Sequence, residues 1–235
     1  MINKEKLKEY AADLGISLDE NAALMFSHYS DILVEVNSYM NLTAITESDE
    51  ILIKHFIDSL EVLKYVDIPK GASIIDVGTG AGFPGVPLLI ARNDIKLTLL
   101  DSLKKRIGFL ETVIENCKLN ASFVHSRAED AGQNKVFRET FDFATARAVA
   151  PLNVLAEYCL PFVKVGGSFI ALKGNAEDIE KGKTAVSLLG GEIQSIVSYE
   201  LPNGDARTIV VIKKISQTPT TFPRNPKKIA SSPLE

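Results

Sequence analysis

The chain has 235 residues, 46% of them apolar and 24% charged, enough to bury one large core and a composition that excludes disorder. Its formal net charge of −4 excludes a general attraction to polyanions, so a nucleic-acid partner has to be met by a local basic patch. Two cysteines, Cys117 and Cys159, sit among apolar neighbours without the CxxC spacing of a metal or redox site, which predicts buried, reduced thiols.

Residues 1–66 predict a helical N-terminal extension packed on the core. Ala22, Met25, Phe26, Tyr29, Ile32, Leu33, Val36 and Tyr39 recur at steps of three and four, and Ser17 with Glu20 reads as an S-x-x-E capping box in front of them. The opening "MINKEKLKEY" has lysines with no apolar stretch behind them, and no window gives eighteen uninterrupted apolar residues; a cytoplasmic protein is expected. From residue 67 to 215 the period shortens to "SIIDV", "KLTLLD", "ASFVH", "FDFATA", "SFIALK", "EIQSIVSYE" and "RTIVVIKK", alternating with amphipathic stretches. That alternation predicts an α/β fold with a seven-stranded, mostly parallel sheet between helices. The last two runs flank Asn203-Gly204 and predict an antiparallel hairpin. Residues 216–235, rich in proline, serine and threonine, predict an extended basic tail, either a strap or a mobile end.

The densest signal is "DVGTGAGFPGVP", residues 76 to 87, which falls at the turn from the first strand into the first helix, where open α/β sheets bind ligands. Gly78, Gly80 and Gly82 admit close backbone approach, and the helix starting near Pro84 or Gly85 aims its positive end at the same space. A dinucleotide turn would need glycine at 83, where Phe83 stands. The D-x-G-x-G-x-G spacing instead resembles the first motif of Rossmann-like methyltransferases, whose ligand is S-adenosylmethionine. Asp101 ends the second strand, where a carboxylate accepts ribose hydroxyls or, alternatively, caps the next helix. Ala128 and Glu129 read either as the frame of an adenine edge or as a solvated acidic turn. Arg147 follows an apolar strand at the sheet's carboxyl end, where a basic side chain serves a site more readily than a core.

The segments "NLTAITESDEILIKHFIDSL", "DVGTGAGFPGVPLLI", "LLDSLKKRIGFLE", "SRAED", "ARAVAPL", "ALKG" and "FPRNPKKIASSPLE", in this order from about residue 35 onwards, together resemble the RsmG (GidB) family. These are bacterial S-adenosylmethionine-dependent enzymes that methylate guanine N7 in small-subunit (16S) ribosomal RNA. The resemblance implies cofactor contacts at Gly78, Phe83, Ala128, Glu129 and Arg147, with Asp101 on the ribose. Asn41, Thr43, His55, Asp58, Ser59 and Lys173 match further motif positions. The tail departs from the family's ending at Lys227 and Ile229 while keeping Arg224.

Guanine N7 offers a lone pair and no proton, so its methylation needs positioning and no general base. The sequence accordingly has "ARAVAPL" where an exocyclic-amine methylase would carry an N-P-P-Y-like loop. Arg147 is the residue expected to join cofactor and substrate pockets, without a proton-transfer role. His55 stands three residues before Asp58 on a helix and reads equally as a cleft residue or as half of a structural histidine–aspartate pair. Lys213, Lys214, Arg224, Lys227 and Lys228, with Arg207, form the basic patch expected to contact RNA phosphates, and "SLKKR" at 102–106 adds to it. No metal site and no partner subunit is expected; the RNA substrate is naked or within the assembled 30S subunit. The rival classes are a methyltransferase acting on a small molecule or protein, and a cofactor-binding RNA regulator without turnover.

Overall fold

A computed structural model of the chain describes residues 1–235 except 148, 149, 175, 177 and 178. Seven strands form one sheet: β1 (Ser73–Val77), β2 (Lys96–Asp101), β3 (Ala121–His125), β4 (Phe141–Arg147), β5 (Val163–Lys173), β6 (Gly191–Glu200) and β7 (Ala206–Lys214). Their order is β3-β2-β1-β4-β5-β7-β6, parallel throughout except for β7, which runs antiparallel between β5 and β6. The sheet therefore has the expected hairpin, but with its last strand inserted inside the sheet and β6 at the edge.

The inner strands β1, β4, β5 and β7 are largely apolar on both sides because both sides are covered, and their period of two sorts neighbours to opposite faces. Ile74, Leu97, Leu99, Phe143, Ile170, Ile209 and Val211 join one buried cluster, with Leu7, Phe26, Tyr29, Leu33, Phe56 and Leu60 of the N-terminal helices. Ile75, Leu100, Ala144, Phe169, Val210 and Ile212 join the other. On the first face lie α1 (Lys4–Asp13), α2 (Glu20–Met40), α3 (Ser48–Ile51), α4 (Asp58–Tyr65), α5 (Gly85–Ala91) and α6 (Lys104–Asn116). On the second lie α7 (Ala128–Gln133), α8 (Leu152–Cys159) and α9 (Ile179–Leu188). Among the described residues no helix is long and apolar enough to cross a membrane.

The start of α2 differs from the sequence expectation. Asp19, not Ser17, is its N-cap, and the carboxylate accepts from the Ala22 amide at 2.7 Å. Its C-cap Asn41 takes the left-handed conformation that asparagine tolerates, φ 52°. Between α3 and α4 the helix is wound as a π-helix over Leu52–Ile57, and the Ser59 hydroxyl donates to the His55 carbonyl at 2.5 Å. Such wider turns re-aim side chains, and this one carries Lys54 and His55.

The tail takes the first of its two expected arrangements, but with a helical turn and with most cations of the expected phosphate-binding patch engaged by protein. It is a docked strap, with a short helix α10 (Pro226–Ser231) whose Ile229 is fully buried. Lys214, expected on a phosphate-binding surface, is buried instead: its ammonium donates to the Leu160 carbonyl at 2.9 Å and to Thr218 Oγ1, and pairs with Glu139 at 3.2 Å. Burial pushes this lysine down to about 8. Arg224 is taken up by Glu157, and Lys213 donates to the Gly166 carbonyl. Lys227 and Lys228 alone of the tail cations remain exposed.

Candidate active site

The glycine turn is anchored by Asp76, at 0% exposure. Its carboxylate accepts from Thr79 Oγ1 (2.6 Å), Thr145 Oγ1 (2.8 Å) and the Gly85 amide (3.1 Å). Burial raises its pKa, and those bonds oppose the shift. Two of the glycines serve different ends. At Gly82, with φ +100°, a Cβ would stand 2.6 Å from Tyr29 Oη, so this glycine admits protein and not a ligand. At Gly80, with φ +60°, the nearest heavy atom to a Cβ is 3.9 Å away.

Beyond the turn a cavity of about 220 Å³ is lined by Val77, Gly78, Asp101, Ala128, Glu129, Leu155 and Tyr158, among others. Four of the expected residues, Gly78, Asp101, Ala128 and Glu129, thus meet in one place. Asp101 is 2% exposed and already occupied: Oδ1 accepts from the Leu103 amide (2.9 Å), Oδ2 from the Gly80 amide (3.0 Å) and from Arg106 Nη1 (3.3 Å). Asp101 thus faces the cavity and does not cap α6, whose N-cap is Leu103 without a side-chain cap bond; Oδ1 holds the Leu103 amide just ahead of the helix. Arg106 was not singled out on its own, although "SLKKR" contained it. Glu129 Oε1 is buried without a hydrogen-bond partner, with Arg127 Nη1 3.8 Å off. A buried acceptor left open costs roughly 1–3 kcal/mol unless something donates to it.

Phe83 and Arg147 belong to a neighbouring cluster. The Phe83 ring stacks on His55 (centroids 4.4 Å apart) and on Tyr29 (5.4 Å), and Tyr29 Oη donates to the Ala81 carbonyl. The Arg147 guanidinium lies over the same ring, 4.7 Å from its centroid. Arg147 donates to the Lys54 carbonyl (3.0 Å), Asp58 Oδ2 (3.2 Å) and His55 Nδ1 (3.0 Å). His55 and Asp58 are therefore joined through Arg147. His55 Nε2 pairs with Thr43 Oγ1 at 2.9 Å. Burial, with the Arg147 charge beside it, pushes the His55 imidazole down to about 3.

Asp58 also accepts from Tyr199 Oη at 2.9 Å, and Arg207 Nε lies 3.7 Å away. Tyr199 had no sequence signal, because it reaches the cluster from 141 residues away in the chain. A second cavity, about 330 Å³, is lined by Ile45, Lys54, His55, Asp58, Arg147, Leu172, Lys173, Gly174 and Arg207. Among the described residues its lining carries four cations and the Asp58 carboxylate, with Lys54 also paired to Glu50 (2.8 Å) and Arg207 to Asp205 (3.4 Å). Asn41 lines neither cavity and Ser59 supports the π-turn. Ala148 and Val149 of "ARAVAPL" lie outside the described residues. Among the described residues no group of three or more potential ligands could hold a metal ion.

A parallel sheet with an inserted antiparallel strand, a glycine turn after β1 and an acidic end to β2 define a Rossmann-like S-adenosylmethionine-dependent methyltransferase. The open carboxylate of Glu129, the Asp101 acceptor and the apolar walls fit the adenosine half of that cofactor. The fold is shared with a SAM dependent methyltransferase from Aquifex aeolicus (TM-score 0.56, 17% identity, 74% of this chain and 97% of that one). It is shared also with TrmN from Thermus thermophilus (0.54, 16%, 70% and 53%). The family model described as rRNA small subunit methyltransferase G matches residues 23–209. The chain is 51% identical over 236 residues to the Ribosomal RNA small subunit methyltransferase G of Alkaliphilus oremlandii, covering 99% of both chains. It is 49% identical over 234 residues to the protein of that name from Acetivibrio thermocellus, 98% of this chain and 96% of that one. The chain belongs to the rRNA small subunit methyltransferase G family, and its cofactor is S-adenosylmethionine.

Proposed function

We propose that this enzyme methylates N7 of one guanine in small-subunit ribosomal RNA, acting as a cytoplasmic monomer on naked RNA or on the 30S subunit. The observation that carries the reading is the Arg147 cluster, where Arg147 and Arg207 line a cavity and, among the described residues, the one imidazole has both ring nitrogens engaged. His55 Nδ1 already accepts from Arg147, so its lone pair is taken. Guanine N7 presents a lone pair directly and asks for no proton acceptor, which suits an imidazole already engaged on both sides.

S-adenosylmethionine supplies an electrophilic methyl group when bound. In this reading Gly78, Gly80, Asp101, Ala128 and Glu129 hold its adenosine, with Arg106 releasing Asp101 Oδ2 to the ribose. Phe83 supports Arg147 from below. Arg147 lines the cationic cavity from a position fixed by Lys54, His55 and Asp58, and donates to the guanine. Lys54, Lys173 and Arg207 attract the flanking phosphates.

The test is methyl transfer from labelled S-adenosylmethionine to small subunits from a strain lacking this protein, followed by nucleoside analysis. One new 7-methylguanosine is the expected result. Transfer to a different nucleoside, or none with cofactor binding intact, would reject the reading.

A further inference from the structure

We propose that the C-terminal strap, residues 216–235, sets the width of the cofactor cavity, and that Arg224 is its anchor and a positioning residue for cofactor binding. The proposal rests on the cofactor assignment and not on which base is methylated.

One wall of the 220 Å³ cavity is the carboxyl ends of β1 and β2 with Gly78, Asp101 and Ser102; the other is made by two short helices, Ala128 and Glu129 from α7 and Leu155 and Tyr158 from α8. A helix of two turns does not hold its own orientation and relies on its packing. The strap supplies that packing on the side away from the cavity. On α8, Asn153 and Glu157 stand four residues apart on one face, while Leu155 lies opposite and Tyr158 faces the cavity. Asn153 Nδ2 donates to the Leu234 carbonyl at 3.0 Å. Glu157, 0% exposed, takes a bidentate pair from Arg224: Nε to Oε1 at 2.9 Å and Nη2 to Oε2 at 2.6 Å. The Arg224 amide adds a third bond to Oε1 at 2.7 Å, and Nη1 ties back to the Ser232 carbonyl at 3.1 Å.

The strap grips α7 as well. Gln133 Nε2 donates to the Pro223 carbonyl at 2.9 Å, and Arg138 bridges the Gly132 carbonyl to those of Phe222 (2.8 Å) and Thr218 (2.7 Å). Gly132 packs so closely on Pro223 that a Cβ there would stand 3.0 Å from its ring. Both helices of one wall are thus fastened to a single segment that reaches neither cavity. Loss of Arg224 leaves a buried carboxylate on α8 without its counter-charge, and the helix must rotate or shift to hydrate it.

The experiment uses the full chain with S-adenosylhomocysteine as the probe, titrated calorimetrically in the absence of RNA. Arg224→Met is expected to raise Kd, and KM for S-adenosylmethionine, about tenfold, with kcat at saturating cofactor within about twofold. Glu157→Gln combined with Arg224→Gln removes the buried charge, keeps a hydrogen-bonding pair and is expected to restore most of the affinity. Asn153→Ala, which cuts only the Leu234 tether, gives a smaller rise of the same kind and serves if Arg224→Met does not fold. An unchanged Kd in a folded variant, or a loss of salt-dependent RNA affinity in its place, would overturn the proposal and return Arg224 to phosphate contact.

Discussion

Arg147 Nη2 lies 3.0 Å from His55 Nδ1, and because a guanidinium only donates, the imidazole is held with Nδ1 bare and its proton on Nε2, toward Thr43. Nitrogen NMR of the two ring positions should show this single neutral tautomer throughout pH 5–8. A protonated ring at pH 5 would contradict the arrangement.

Arg147→Ala should lower kcat by about 10²–10³-fold, the loss that follows removal of one fixed donor from a reacting centre. It also strips Asp58, 4% exposed, of its closest cation. Breaking a buried pair costs roughly 3–5 kcal/mol, and Tyr199 and Arg207 keep this case near the lower figure. Arg147→Lys keeps a charge but cannot reach Lys54, His55 and Asp58 together, so it should fold better than the alanine variant and remain poorly active. Kinetics and urea unfolding on both variants separate the two effects.

Stability against pH should show two opposed slopes. His55, at about 3 when folded against 6.5 ordinarily, contributes fully above pH 6.5 and loses that contribution as pH falls toward 3. Glu61, pushed up by burial to about 7 from 4.5, contributes fully below pH 4.5 and loses it as pH rises toward 7. Each changes stability by about 1.4 kcal/mol per pH unit within its window, so between 4.5 and 6.5 they cancel. Glu61→Gln should convert that plateau into stability rising with pH, measured by urea unfolding in steps of half a pH unit; a plateau that persists would refute the His55 half.

Two alanine substitutions in the glycine turn should part company. Gly82→Ala forces a Cβ against Tyr29, Leu110 and Val86 in a left-handed backbone, and should destabilise by about 2–4 kcal/mol. Gly80→Ala meets only the backbone cost, about 1–2 kcal/mol, and should weaken S-adenosylhomocysteine binding out of proportion to its effect on unfolding. Equal effects of the two on cofactor affinity would mean that Gly80 does not face the ligand.

Neither thiol should react with an aromatic disulfide reagent in the native protein. Cys117 is pushed up to about 11 by burial and Cys159, fully buried, is raised further above the ordinary range. Both should titrate after denaturation, and fast labelling of either in native buffer would contradict their burial.

All seven strands were legible because period two and apolar runs are local signals, and the glycine turn because its spacing departs from the dinucleotide pattern at Phe83. That Gly78, Asp101, Ala128 and Glu129 line one cavity follows from local signals too, Gly78 and Asp101 at the ends of β1 and β2 and Ala128 and Glu129 at the start of α7. What stayed hidden depends on distant pairings. Lys214 reads as basic surface until Glu139 and Thr218 are found beside it, and Arg224 until Glu157 is, 67 residues away. Asp19 and Ser17 are both acceptable caps, and only the backbone chooses. Phe83 was assigned by resemblance to the cofactor, yet its ring is 6% exposed between His55 and Tyr29 and lines neither cavity.

The position of β7 bears on how the molecule is made. Synthesis runs from the N-terminus, yet residues 206–214 fill the gap between two strands completed earlier, pairing with β5 on one side and β6 on the other. Until those last residues emerge, a nascent chain presents β5 as a raw apolar edge and β6 has no neighbour to join. The half-made sheet is thus a sticky object, and its cooperative closure waits until residues 206–214 have been made.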